Sequence, residues 1–110
     1  MLGVAFMVRR LTRDPAELFN IDAGSIAIGA QADLVLIDPA ALARHDGEAS
    51  TQRIFREVLQ HDQLVNRSNG VVSHVFIKGA CVWQGHDFTP VFETEKLGRV
   101  LLAKPYLEAA

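Results

Sequence analysis

The chain has 110 residues, 49% of them apolar and 22% charged, which suits one soluble globular domain able to bury a core. A formal charge of −2, with eleven Lys and Arg scattered along the chain, excludes a nucleic-acid footprint, and no apolar run approaches the length of a membrane span. The one cysteine, Cys81, excludes an internal disulfide and fits a reducing cytoplasm. The apolar run Met1 to Val8 is short and is followed by Arg9-Arg10, the reverse of the order in a secretory leader.

In chain order, Val4, Met7, Val8 and Leu11 fall at helical spacing and predict a helix over residues 1–11. A second helix is expected to start with Asp14 as N-cap, Pro15 at the first position and Glu17 in a capping box. Residues 20–24 end it, with Gly24 as the turn residue. Residues 25–28 read as a short strand, and Gly29 to Gln31 as a turn. Ala32 to Ile37 read as a strand whose nearly continuous apolar run asks for cover on both faces. Asp38-Pro39 stops that strand, and one helical turn is expected over 39–44. Residues 45–50 read as a polar loop. Residues 50–59 read as an amphipathic helix with Ile54, Phe55, Val58 and Leu59 on one side. Residues 66–70 form a turn cluster.

The clearest pattern is a hairpin, in which residues 71–77 and 80–84 flank the two-residue turn Lys78-Gly79. That turn would pair Ile77 with Ala80, Phe76 with Cys81, Val75 with Val82 and His74 with Trp83. Residues 87–92 read as an irregular loop and residues 97–102 as a last extended segment. No repeat, low-complexity tract or linker is present.

These pieces together resemble a known family. Val8-Arg9-Arg10-Leu11-Thr12 with Asp14-Pro15-Ala16-Glu17-Leu18-Phe19 resembles the last barrel helix of amidohydrolases. Asp22-Ala23-Gly24-Ser25-Ile26, Gly29 and Ala32-Asp33-Leu34-Val35 resemble the strands that return to their small β-domain. Asn66-Arg67-Ser68, Gly70-Val71-Val72, Val75-Phe76-Ile77-Lys78-Gly79, Cys81-Val82-Trp83 and Leu97-Gly98-Arg99-Val100-Leu101 are similar to the N-acyl-D-amino-acid deacylase (D-aminoacylase-like) branch. Such enzymes hydrolyse C–N bonds on a (β/α)8 barrel, with a metal held by a His-x-His pair, mid-barrel ligands and a late aspartate. No position here matches those motifs. The resemblance therefore carries over no catalytic, cofactor-binding or metal residue. Zinc is implied only for a complete parent enzyme.

The residues themselves point the same way. His45-Asp46, His61-Asp62 and His86-Asp87 are spaced 16 and 25 residues apart, match no zinc spacing, and read as surface histidines each beside a hydrogen-bonding aspartate. His74, expected to face Trp83, reads as a satisfied strand residue, and Cys81 as a small hydrophobe without a cation to activate it. Asp33, at a strand start after a glycine turn, reads as an acceptor for backbone N–H groups.

The expected fold is mainly β (α+β): a small, incomplete β-sandwich-like domain of metal-dependent hydrolases with an N-terminal helix. Within a single domain 1–110, residues 1–20 form the helical segment, 21–103 the β-domain and 104–110 a loose tail. The expected function is a non-catalytic C-terminal scaffold part of an amidohydrolase. The alternative is a free-standing interaction module, and a small enzyme using His74 or Cys81 ranks third. The expected partner is a second copy or a separate barrel subunit, with neither nucleic acid nor membrane.

Overall fold

A computed structural model describes residues 3–67 and 70–105. The chain forms two compact units, Met1–Ala32 with Leu97–Ala110, and Asp33–Lys96. As the sequence predicts, the fold is mainly β within the α+β class, with a helical start.

In the first unit, α1 spans Val4–Leu11 and α2 spans Arg13–Leu18. Thr12 between them sits at φ −127°, ψ −75°, so the two make one bent helix. Its hydroxyl donates to Val8 O at 2.8 Å, a back-bond of the kind that bends helices. Asp14 is not the N-cap: α2 starts earlier, with Thr12 in the cap position and no side-chain cap bond. The reason is α1, which brings two guanidinium groups within reach. Asp14 accepts from Arg9 Nε at 2.9 Å and lies 3.8 Å from Arg10. That hydrogen bond, and then the carboxylate charge, raise Arg9 above its ordinary pKa. Glu17 pairs with Arg13 at 2.6 Å and forms no capping box. Pro15 is tolerated because first-turn N–H groups need no helical partner.

The end of α2 also differs from expectation. Ile21 N donates to Ala16 O at 2.8 Å and Asn20 N to Glu17 O at 3.1 Å, with Asn20 at φ +52°. This is a Schellman closure in which asparagine takes the left-handed position expected of Gly24. Gly24 has a different job. It sits at φ +77°, and a Cβ there would lie 2.5 Å from Thr12 O and 3.2 Å from Ala16 Cβ. The chain thus crosses closely over the bend, above the buried Ala16. Residues 25–28 join no ladder, having no strand beside them. Residues 97–102 join none either. Their end is anchored: Lys104 N donates to Asn20 O at 2.8 Å, and Asn20 Nδ2 donates to Lys104 O at 2.7 Å. The rest of the expected tail, 106–110, lies outside the described residues.

In the second unit, β1 (Leu34–Ile37), β4 (Val72–Ile77), β5 (Ala80–Gln84) and β6 (Asp87–Phe88) form an antiparallel sheet in the order β1-β4-β5-β6. Between β1 and β4 lie α3 (Pro39–Arg44), β2 (Thr51–Arg56) and β3 (His61–Asn66). Asp38 ends β1 and caps α3, accepting from Ala40 N at 2.9 Å and Ala41 N at 3.2 Å, with Pro39 in the first turn. At the other end of β1, Asp33 Oδ1 accepts from Lys78 N at 2.9 Å and braces the strand against the β4–β5 turn. That turn has Lys78 at φ +52° and Gly79 at φ +81°, the type I′ pattern that suits two-residue hairpins.

The hairpin register holds for Ile77↔Ala80 and Phe76↔Cys81, then shifts. Val75 pairs with Trp83 and His74 with Gln84, so Val82 is a bulge residue. The inserted residue lets Val82 bury to 4% exposure while Trp83 reaches Phe88. Trp83 meets Phe88 edge-on at 5.0 Å, and Phe88 stacks on Phe92 at 4.0 Å.

Residues 50–59 are not a helix. Thr51–Arg56 is β2, paired antiparallel with β3 from Thr51↔Asn66 to Arg56↔His61. Ile54 and Phe55 therefore point to opposite faces, and Val58-Leu59 belong to the connecting turn. The base of this hairpin is tied by Asn66 Nδ2 donating to Gly47 O at 2.7 Å.

Two stability outcomes follow. Gly24→Ala meets both a left-handed backbone and the Thr12 carbonyl, whereas Gly79→Ala meets only the backbone cost, since nothing lies within 4 Å of its Cβ position. Gly79→Ala should cost about 1 kcal/mol and Gly24→Ala roughly 1–3 kcal/mol, in urea unfolding followed by circular dichroism. The reverse order would contradict the close crossing. Asp33→Ala should cost about 1 kcal/mol and speed hydrogen exchange at the Lys78 amide. An unchanged Lys78 exchange rate would remove the brace.

Candidate functional site

Among the described residues, the histidines, Cys81 and the acids gather into no group of three or more that could hold a metal ion. His45 follows α3, and its neighbour Asp46 accepts from Glu48 N at 3.0 Å and Ala49 N at 3.1 Å in an Asx turn. His61 opens β3 and does not sit in a loop. It donates from Nδ1 to Leu59 O at 3.0 Å, and its neighbour Asp62 lies 3.5 Å from Arg53. His86 is in the turn after β5, while Asp87 accepts from Phe88 N at 2.8 Å. The expected hydrogen bonds between each histidine and its following aspartate do not form. In each case backbone N–H or a guanidinium claims the carboxylate first.

His74 lies half-buried on β4, between Leu36 of β1 and Gln84 of β5, not opposite Trp83. Its ring stacks on Phe76 with centroids 6.2 Å apart, and its Nδ1 is 3.1 Å from Ser73 Oγ, which itself donates to Leu36 O. Cys81 is half-buried, and its thiol donates to Trp83 O at 3.2 Å. Among the described residues, no three His, Cys, Asp or Glu side chains come together where they could hold a metal ion. The described residues therefore do not fit the zinc that the family resemblance implies for a complete enzyme.

What the structure does present is apolar surface. The α1 stripe of Val4, Met7, Val8 and Leu11 is exposed, and no residue of α1 is buried. Val35, Leu36 and Ile37 of β1 remain 52%, 48% and 47% exposed, so the cover expected on both faces is not supplied by the described residues. The outer edge of β1 pairs with no strand among the described residues. Sequence reasoning missed a further patch: Phe55 and Leu64 on the β2–β3 hairpin, and Val58 at its tip, 95% exposed. Its signal was the pair of apolar residues in β3, Leu64-Val65, which no helix over 50–59 could have covered. No helix among the described residues is long and apolar enough to cross a membrane.

No solved structure matches this chain. Uncharacterized proteins of Mycobacterium bovis and Mycobacterium tuberculosis are 31% identical to it over 111 residues. The alignment takes in 93% of this chain and 17% of theirs, so the chain spans about a sixth of the length of those relatives. The pattern of the amidohydrolase family matches residues 5–82, from α1 into the bulge of β5. On that match, which takes in most of the chain, the protein belongs to the amidohydrolase family.

Proposed function

We propose that this chain is a non-catalytic scaffold portion of an amidohydrolase, of the N-acyl-D-amino-acid deacylase type. The observation that carries the reading is where the family match falls. It covers residues 5–82, a stretch with no His-x-His pair, whose apolar helix face and β1 face stand exposed. Those faces are what a scaffold needs in order to brace a barrel, and the histidines are what it does not need. The deacylase branch is supported by the order of the segments around Asn66-Arg67-Ser68, the Lys78-Gly79 hairpin and Leu97-Gly98-Arg99-Val100-Leu101. The partner in this reading is a barrel chain, which brings the zinc and the substrate contacts. A reducing cytoplasm suits the single half-buried thiol.

A second reading, a free-standing module that pairs with its own kind, is favoured by the unpaired outer edge of β1.

The test is a direct assay. The purified chain, supplemented with zinc and offered N-acetyl-D-methionine and N-acetyl-D-leucine, should release no free amino acid above the buffer rate. Zinc-dependent turnover by this chain alone, abolished by a chelator, would overturn the scaffold reading.

A further inference from the structure

The edge of β1 and the segment before Lys104 are complementary in a way that neither shows alone. β1 is a four-residue apolar strand, Leu34–Ile37, with Asp33 before it and Asp38 after it. Its inner edge is bonded to β4, and its outer edge to no strand among the described residues. Residues 99–104 read Arg-Val-Leu-Leu-Ala-Lys, four apolar residues between two cations. Val100 and Leu102 are 80% and 76% exposed, and residues 100–103 are neither helical nor in a ladder. The Asn20–Lys104 bonds hold one end of this segment, with Lys104 Nζ 4.0 Å from Asp22, and Arg99 donates to Asp22 O at 2.9 Å at the other, while Val100 and Leu102 between them stay displayed.

We infer that two copies of this chain associate by exchange: residues 100–103 of each add antiparallel to the outer edge of β1 of the other. In that register Leu34 meets Ala103, Val35 meets Leu102, Leu36 meets Leu101 and Ile37 meets Val100. Asp33 then stands opposite Lys104 and Asp38 opposite Arg99. Apolar residues face apolar residues on both sides of the strand, and opposite charges close both ends. The competing arrangement is β1 against β1 of the second copy. Its matching register sets Asp33 of each copy against Asp38 of the other, so like charges oppose at both ends. Charge thus selects the exchanged strand over self-pairing.

The inference goes beyond the scaffold reading and uses none of its chemistry. Hydrolysis by the isolated chain would overturn that reading and leave this one untouched.

The full chain is examined by sedimentation over a micromolar concentration series, with three variants. Asp38→Asn removes the charge and keeps the α3 cap, because asparagine caps as well as aspartate. Arg99→Gln removes the partner charge, and the third variant combines both. Circular dichroism checks that each remains folded. Exchange predicts a dimer whose dissociation constant rises roughly 2- to 30-fold in either single variant. The double variant should lie close to the singles, because one interaction is removed only once. Hydrogen exchange should show residues 34–37 and 100–103 gaining protection together as concentration rises. Tighter association of Asp38→Asn would assign the dimer to self-pairing and overturn the proposal. So would a monomer throughout the series, or protection that does not depend on concentration.

Discussion

The four-stranded sheet of the second unit depends on the double pairing of β4. It bonds β1 along one edge and β5 along the other, and β6 reaches the sheet only through β5. Non-local pairing of this kind closes a long loop, because β1 and β4 are separated by α3 and the whole β2–β3 hairpin. Polar contacts at the two ends of β1 offset that cost. Lys78 N donates to Asp33 at one end, and Asp38 N donates to Val71 O at the other. The left-handed pair Lys78 and Gly79 then turns β4 tightly enough to start β5 in register. Without the brace at Asp33, β1 would hold its place by four residues of ladder and the Asp38–Val71 bond.

Few side chains are enclosed around that ladder. Val71 and Val82 are the buried apolar residues of the second unit, and no side chain among the described residues is fully buried. A side chain such as Val or Leu stabilises by about 1.5–3 kcal/mol when fully removed from water, so half-exposed Val35, Leu36 and Ile37 forgo much of that gain. The aromatic stack of Trp83, Phe88 and Phe92 compensates locally, at the opposite edge of the sheet. The β1 edge has no such device. Its guards are its shortness and the acids that bound it, Asp33 and Asp38, with Pro39 following.

The parts of the fold legible in the sequence were those fixed by local chemistry. Asp38-Pro39 reads as stop and cap because both roles depend on neighbouring residues only. Lys78-Gly79 reads as a hairpin turn because few residue pairs accept two left-handed positions. The misreadings share another cause, which is competition with a distant partner. Ile54, Phe55, Val58 and Leu59 recur at helical spacing, but Leu64-Val65 offered a strand to pair with, and pairing won. Asp14 had the right position for a cap, but Arg9 and Arg10 on the preceding helix claimed it. Gly24 looked like the helix terminator because glycine is the usual choice. Asn20 stood nearer the end of α2, and Gly24 was needed for a close crossing that no local pattern reveals. The bulge at Val82 is of the same type. It depends on Phe88 being present for Trp83, which a two-strand register cannot anticipate.

The same logic explains why a chain with thirteen acidic residues and four histidines assembles no metal centre among its described residues. Its aspartates are committed elsewhere. Asp33, Asp38, Asp46 and Asp87 each accept from backbone N–H groups, and Asp14 and Asp62 face arginines. A carboxylate that holds a turn or a helix end cannot swing to a metal without unmaking that turn. The histidines are dispersed to match: one after α3, one opening β3, one in mid-sheet and one in the turn after β5. These six aspartates thus hold turns, helix ends and arginines, and the side chains left exposed on β1 and on the α1 stripe are apolar.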